Sequence, residues 1–306
     1  MPPITGPRSQ TFSTMARLAG EVIRLSRASS DGLTAGRVAP SPRPVLPGNR
    51  YAVVIGINVY KNRRIPALTY AVSDARAVHN FLVNEAGFPK DNVVLCLGEQ
   101  ATQQNVRSAL GTFLARKALK EDTVLIFYAG HGAPETDYAR KSPDGLAKYL
   151  VPYDAQPDDL YATAIPMTEI ATIFKRIDAE KVVFFSDACY SGAAGGRSFS
   201  TAKFRGVQIA DPMAQLVHGK GRVIITAGGP NEPSVEDPSL GHGVFTYYLL
   251  QGLSGQAADP TGRITVHSLY RYLTDRVTRK SKQLGGNQHP ILRGETQGDI
   301  VLVPGG

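Results

Sequence analysis

A chain of 306 residues with 42% hydrophobic and 20% charged residues can bury a sizeable core, in one large α/β domain or two smaller ones. No apolar run approaches the roughly 18 residues needed to cross a bilayer, and the amino terminus lacks the apolar stretch of a secretory signal, so the default location is cytoplasmic. Two cysteines, Cys96 and Cys189, exclude a disulfide framework, and the six scattered histidines show no metal-ligand spacing.

In chain order, residues 1–50 form a leader rich in Arg, Ser, Pro and Gly, too poor in apolar surface to offset its ordering entropy. It holds seven Arg and no Lys against Glu21 and Asp31, so most of the net charge of +8 sits there. A nucleic-acid binder carries its basic patch on the folded domain, and no nucleic-acid partner is expected. Met15, Leu18, Val22 and Leu25 recur at helical spacing behind Ser13 or Thr14 as N-cap. The leader reads equally as a pro-segment, a docking or membrane-surface helix, or a tail with a marginal helix. Its Arg- and Ser-rich, acid-poor composition also leaves an organelle transit peptide open.

From Tyr51 the pattern turns regular. Strands are predicted over 52–57, 92–97, 124–127, 182–185 and 223–227, with a terminal strand over 300–303. Helices are predicted over 68–82, 102–119, 168–177, 243–250 and 266–280, the second capped by Thr102. Residues 133–166 show less regularity, with a short extended piece over 149–154. A long loop over 192–221 carries Gly, Ser and basic residues, and loops of that length inside compact domains are commonly functional. Alternating strands and helices imply right-handed crossovers and a parallel sheet.

Two apolar runs close on short polar motifs. Val124-Leu125-Ile126-Phe127 runs into Tyr128-Ala129-Gly130-His131-Gly132, and Val182-Val183-Phe184-Phe185 into Ser186-Asp187-Ala188-Cys189-Tyr190-Ser191-Gly192. Residues just past the carboxyl ends of parallel strands line the ligand crevice of an open α/β sheet. A His and a Cys delivered there are a candidate base and nucleophile. By contrast, Cys96 closes an apolar run and reads as a buried core thiol.

The arrangement resembles the caspase-like cysteine peptidases, and more closely the metacaspase and bacterial caspase-homologue branch than the animal caspases. The resemblance spans about residues 51–303 and extends to Arg222-Val223-Ile224-Ile225-Thr226-Ala227 and Gly241-His242-Gly243-Val244-Phe245-Thr246-Tyr247-Tyr248-Leu249. It implies a three-layer sandwich: a mostly parallel central sheet of about six strands flanked by helices. The peptidase domain over 51–303 then divides into a larger portion (51–191), an activation loop (192–221) and a smaller portion (222–303). Cys189 would be the nucleophile and His131 its base, with the N–H groups of Gly132 and Cys189 as an oxyanion hole. The family needs no third residue to orient the histidine.

Asp187 and Asp74 match the positions that form an acidic primary pocket in metacaspase-like enzymes. Two converging carboxylates suit a guanidinium or ammonium group, so cleavage after Arg or Lys is expected. Asp74 reads alternatively as a solvated or capping helix residue. Calcium-dependent metacaspases carry acidic ligands where this chain reads Ile165-Pro166-Met167-Thr168-Glu169 and, after Cys189, Tyr-Ser-Gly-Ala-Ala-Gly-Gly. Asp154, Asp158 and Asp159 lie nearby in sequence, but no cofactor, calcium included, is expected. Arg197, Lys203, Arg205, Lys220 and Arg222 offer sites for self-processing. The alternative is a non-catalytic caspase-like scaffold that binds basic peptides; the oligomeric state stays open.

Overall fold

Five parallel strands and one antiparallel strand make the central sheet, in the order β12 (Ile291–Glu295), β8 (Arg222–Thr226), β7 (Lys181–Asp187), β3 (Thr123–Ala129), β1 (Arg50–Gly56), β2 (Val93–Leu97). The computed structural model describes residues 46–188, 210–211, 221–296 and 298–305. The leader up to residue 45, Cys189 and nearly all of the expected activation loop lie outside the described residues.

Alternation along each strand sorts its side chains onto two faces. Val53, Ile55, Val124, Ile126, Val182, Phe184 and Ile224 share one core, and Ala52, Val54, Leu125, Phe127, Val183, Phe185 and Ile225 the other. The first core is covered by α2 (Gln103–Arg107), its continuation through a π-helical stretch (Ser108–Phe113) into α3 (Leu114–Lys117), and by α5 (Met167–Arg176). The second is covered by α1 (Ala71–Asn84), α6 (Val244–Gln251) and α7 (Val266–Gln283). The result is the expected three-layer sandwich. Helix starts follow their local chemistry: Thr102 accepts from the Asn105 N–H, and Thr265 with Ser268 closes a capping box on α7.

Several elements differ from the sequence reading. The first strand starts at Arg50, ahead of the predicted 52–57. The Arg50 guanidinium is buried, donates to the carbonyls of Ala86 and Leu302, and lies 4.3 Å above the Phe88 ring. Burial pushes its pKa down to about 10. Residues 133–166 hold a three-stranded antiparallel sheet of β4 (Gly132–Thr136), β5 (Leu146–Leu150) and β6 (Ile165–Pro166), preceded by α4 (Leu160–Thr163). The extended piece thus ends at Leu150, where the sequence reading carried it to 154.

The sixth strand of the central sheet is β12, antiparallel to β8, and not the chain terminus. The terminal strand β13 (Val301–Val303) pairs instead with β11 (Ile264–Thr265). A further small hairpin joins β9 (Glu236–Asp237) to β10 (His242–Gly243). Arg222 is no loop residue: it opens β8, and its guanidinium donates to the carbonyls of Phe174 and Ile177.

Candidate active site

The β3–β7 register sets the site. Tyr128 pairs with Ser186 and Ala129 with Asp187, so the two strands end on one rung. His131 and Cys189 each follow that rung by two residues in sequence. Cys189 itself lies outside the described residues, directly after the buried Ala188.

His131 occupies the two-residue step between β3 and β4 and is 1% exposed. Its Nε2 lies 2.8 Å from the Pro66 carbonyl oxygen. A carbonyl only accepts, so Nε2 carries the proton and, in the neutral ring, Nδ1 keeps the lone pair. The His131 backbone N–H donates to the Tyr60 hydroxyl at 2.8 Å, and the two rings lie against each other tilted by 31°, with centroids 5.3 Å apart. On the other side the Tyr128 hydroxyl sits 2.8 Å from the His131 carbonyl oxygen, which also accepts the Val151 N–H at 3.1 Å.

Gly130 is required by this packing. A Cβ there would lie 2.8 Å from the Tyr128 hydroxyl and 3.2 Å from that of Tyr60. Gly132 is buried, opens β4 and pairs with Leu150.

Asp74 lies on the core-facing side of α1, in phase with Ala71, Ala75, Val78 and Leu82, and is fully buried. This excludes the solvated reading. Helix α1 comes this close because β1 ends in Gly56, where a Cβ would lie 2.5 Å from both the Ala71 oxygen and the Ala75 side chain. Asp74 accepts from His242 Nδ1 at 2.6 Å and from the Gly243 N–H at 3.2 Å.

Asp187 is also fully buried. One oxygen accepts from the Ser234 hydroxyl, the other from Thr246 at 2.7 Å. Both carboxylates are therefore engaged by one segment, residues 234–246, from the smaller portion of the chain. Glu236 in the same segment accepts the Thr69 and Tyr70 N–H groups ahead of α1. This segment ties Asp74, at the start of α1, to Asp187, at the end of β7.

Tyr60, Pro66, Ser234, His242 and Thr246 were not singled out by sequence reasoning. For His242 and Thr246 a signal existed, since both lie in the 241–249 motif, but nothing assigned them a role. Pro66 acts through a main-chain oxygen, which no side-chain pattern announces.

Asp154, Asp158 and Asp159, which lie between the two motifs in sequence, each have protein partners. Asp154 accepts the Gln103 N–H at 2.8 Å, Asp158 pairs with Arg64, and Asp159 caps α4 through the Ala162 N–H. Glu169 is held by Arg107 in a two-pronged ion pair at 2.7 and 2.8 Å. Among the described residues, no group of three His, Cys, Asp or Glu side chains is placed to share a metal ion. No described helix is long and apolar enough to cross a membrane. Cys96 is buried on β2, and burial pushes its thiol pKa up.

An open, mostly parallel sheet flanked by helices on both faces, with the two motif-bearing strands ending on one rung, is the three-layer architecture expected of a caspase-like domain. The family model of the caspase domain matches residues 49–300, and the chain belongs to that family. It is 30% identical over 161 residues to Metacaspase-3 of Arabidopsis thaliana, covering 50% of this chain and 42% of that protein. It is 27% identical over 241 residues to Metacaspase-1 of the same plant, covering 72% and 64%. The chain thus spans less than two thirds of the length of either relative. Among solved structures, the crystal structure of protein GSU0716 from Geobacter sulfurreducens shares the fold, with a TM-score of 0.61 at 19% identity over 82% of this chain and 95% of that one.

Proposed function

We propose that this protein is a cysteine endopeptidase that cuts peptide bonds after Arg or Lys, with Cys189 as nucleophile and His131 as base. The β3–β7 register carries the reading, because it ends both motif-bearing strands on one rung, two residues short of His131 and of Cys189. Nδ1 of His131, the nitrogen left with the lone pair by the Pro66 contact, takes the thiol proton. The thiolate attacks the carbonyl carbon, and the oxyanion forms against the N–H groups of Gly132 and Cys189. The proton held on Nδ1 passes to the departing amine. Water, activated by the same nitrogen, then hydrolyses the thioester. Every step uses groups of this chain, and no metal is required.

Asp74 and Asp187 supply the primary pocket. Burial strengthens their attraction for a cation, and the hydroxyls of Ser234 and Thr246 hold Asp187 oriented for it. Self-processing between residues 197 and 221 is part of the same reading, since Arg197, Lys203, Arg205 and Lys220 lie there.

Fluorogenic peptides ending in Arg, Lys or Asp test the proposal, with and without a calcium chelator. Hydrolysis after Arg and Lys, unaffected by chelation, lost in Cys189→Ala and weakened in Asp187→Asn, is the expected pattern. Cleavage after Asp, or turnover that survives in Cys189→Ala, overturns it. Binding of Arg peptides without turnover would make the protein a non-catalytic scaffold.

A further inference from the structure

We propose that His242 determines specificity in the primary pocket by setting the charge that Asp74 offers to a substrate cation. The inference rests on the pocket reading above and deepens it. Asp74 has no exposed surface, and its Oδ1 meets the Nδ1 of His242 at 2.6 Å, while His242 keeps 24% of its own side chain exposed. A carboxylate oxygen accepts, so Nδ1 carries a proton in either charge state, and the second proton is decided at Nε2. With a neutral imidazole the pair carries the full negative charge of Asp74. With an imidazolium it is neutral overall, and a guanidinium approaching Asp74 meets a cation already in place.

The neighbourhood among the described residues bears on this directly. From α1 His242 faces Asp74. On β9 its pairing partner is Asp237, whose carboxylate is taken by Lys280 of α7 at 2.7 Å, and next to it Glu236 is bound to the Thr69 and Tyr70 N–H groups. From α6 the Tyr247 ring lies 6.4 Å away. Asp187 is held four residues further along the same segment by Thr246. The acidic neighbours on β9 are thus engaged elsewhere, and Asp74 is the carboxylate bonded to the imidazole.

The test uses the full chain carrying Cys189→Ala, which binds without turnover. Blocked tripeptide amides ending in Arg or in its uncharged isostere citrulline are titrated at pH 8 and pH 5.5. The parent is expected to prefer Arg by about tenfold at pH 8 and by only about twofold at pH 5.5, as expected for gain and loss of one charge-assisted contact. His242→Asn, whose side-chain nitrogen replaces Nδ1 without titrating, is expected to show the same preference at both pH values. A preference that narrows equally in His242→Asn, or that does not change with pH in the parent, overturns the role of His242. Asp74→Asn separates the two readings. Loss of Arg preference there keeps the pocket in place whatever His242 does, and an unchanged preference removes the pocket and this inference with it. Should His242→Asn fail to fold, the His242 titration is followed by NMR in the parent. Bound Arg peptide, but not citrulline peptide, must move it to lower pH, and an unmoved titration overturns the role.

Discussion

Nε2 of His131 donates to the carbonyl oxygen of Pro66 at 2.8 Å, across 65 positions of sequence. The loop that carries Pro66 also carries Tyr60, whose ring lies tilted against the imidazole and whose hydroxyl accepts the His131 N–H. The imidazole of His131, the proposed base, is thus held at its ring edge, ring face and backbone by the segment between β1 and α1. Tautomer and orientation are set before any substrate arrives.

Removing the Tyr60 hydroxyl leaves a buried N–H without that acceptor, a loss of about 1–2 kcal/mol. Tyr60→Phe is expected to lower kcat by about five- to thirtyfold at nearly constant KM, the energetic equivalent of that loss. Steady-state kinetics on an Arg substrate checks it, and an effect confined to KM would mean that Tyr60 meets substrate instead.

At Gly130 a methyl group has no room between the two tyrosine hydroxyls. Gly130→Ala is expected to cost about 1–3 kcal/mol by overpacking and to displace His131, lowering activity and melting temperature together. Gly145→Ala is the contrast: nothing stands within 4 Å of its Cβ position and only its φ of +69° resists. That change should cost about 1 kcal/mol and leave the cleavage rate intact.

Burial raises the Cys96 thiol pKa, which lowers its thiolate fraction. Brief treatment with iodoacetamide should therefore yield one adduct, on Cys189, by mass spectrometry. Its rate should fall in His131→Ala. Equal labelling of both cysteines would remove the case for an activated nucleophile.

Ala210 and Asp211 are held at both flanks. The Ala210 N–H donates to Asp144 at 2.6 Å, and Asp211 accepts from Arg293 of β12 at 2.5 Å. Burial works against ionisation of Asp144, but Lys148 and the Ala210 and Leu146 N–H groups outweigh it and hold the carboxyl below its usual range. A depressed folded pKa gives stability that is complete above the unfolded carboxylate value and lost as pH falls through the folded one. Asp144→Asn, which leaves the buried Lys148 ammonium unpaired, is expected to destabilise by about 3 kcal/mol at neutral pH. The difference from wild type should shrink on acidification, as urea melts at several pH values will show.

Self-processing is expected after Arg197, Lys203, Arg205 or Lys220, and not after Arg222. Arg222 sits in β8 with its guanidinium on two carbonyls, where no protease cleft can take an extended segment without unpairing the strand. Sequencing the new amino termini after incubation decides it. A terminus at Val223 would contradict the structure.

Chain order, the parallel strands and the positions of both motifs were legible in the amino-acid sequence alone. Buried parallel strands are continuous apolar runs, and each motif directly follows such a run. Asp74 was named through the family resemblance alone, and its place on the apolar face of α1 came from the structure. The short polar strands β4, β9, β10, β11 and β12 were not. Two to five residues carry too little periodicity, and their pairing depends on partners distant in the chain. For that reason the tertiary structure alone decided that β12, and not the terminal strand, completes the sheet. It alone brought the Pro66 carbonyl to His131 and His242 to Asp74. A main-chain oxygen is the same in every residue, and a contact spanning 168 positions exists only once the sheet and its helices have packed.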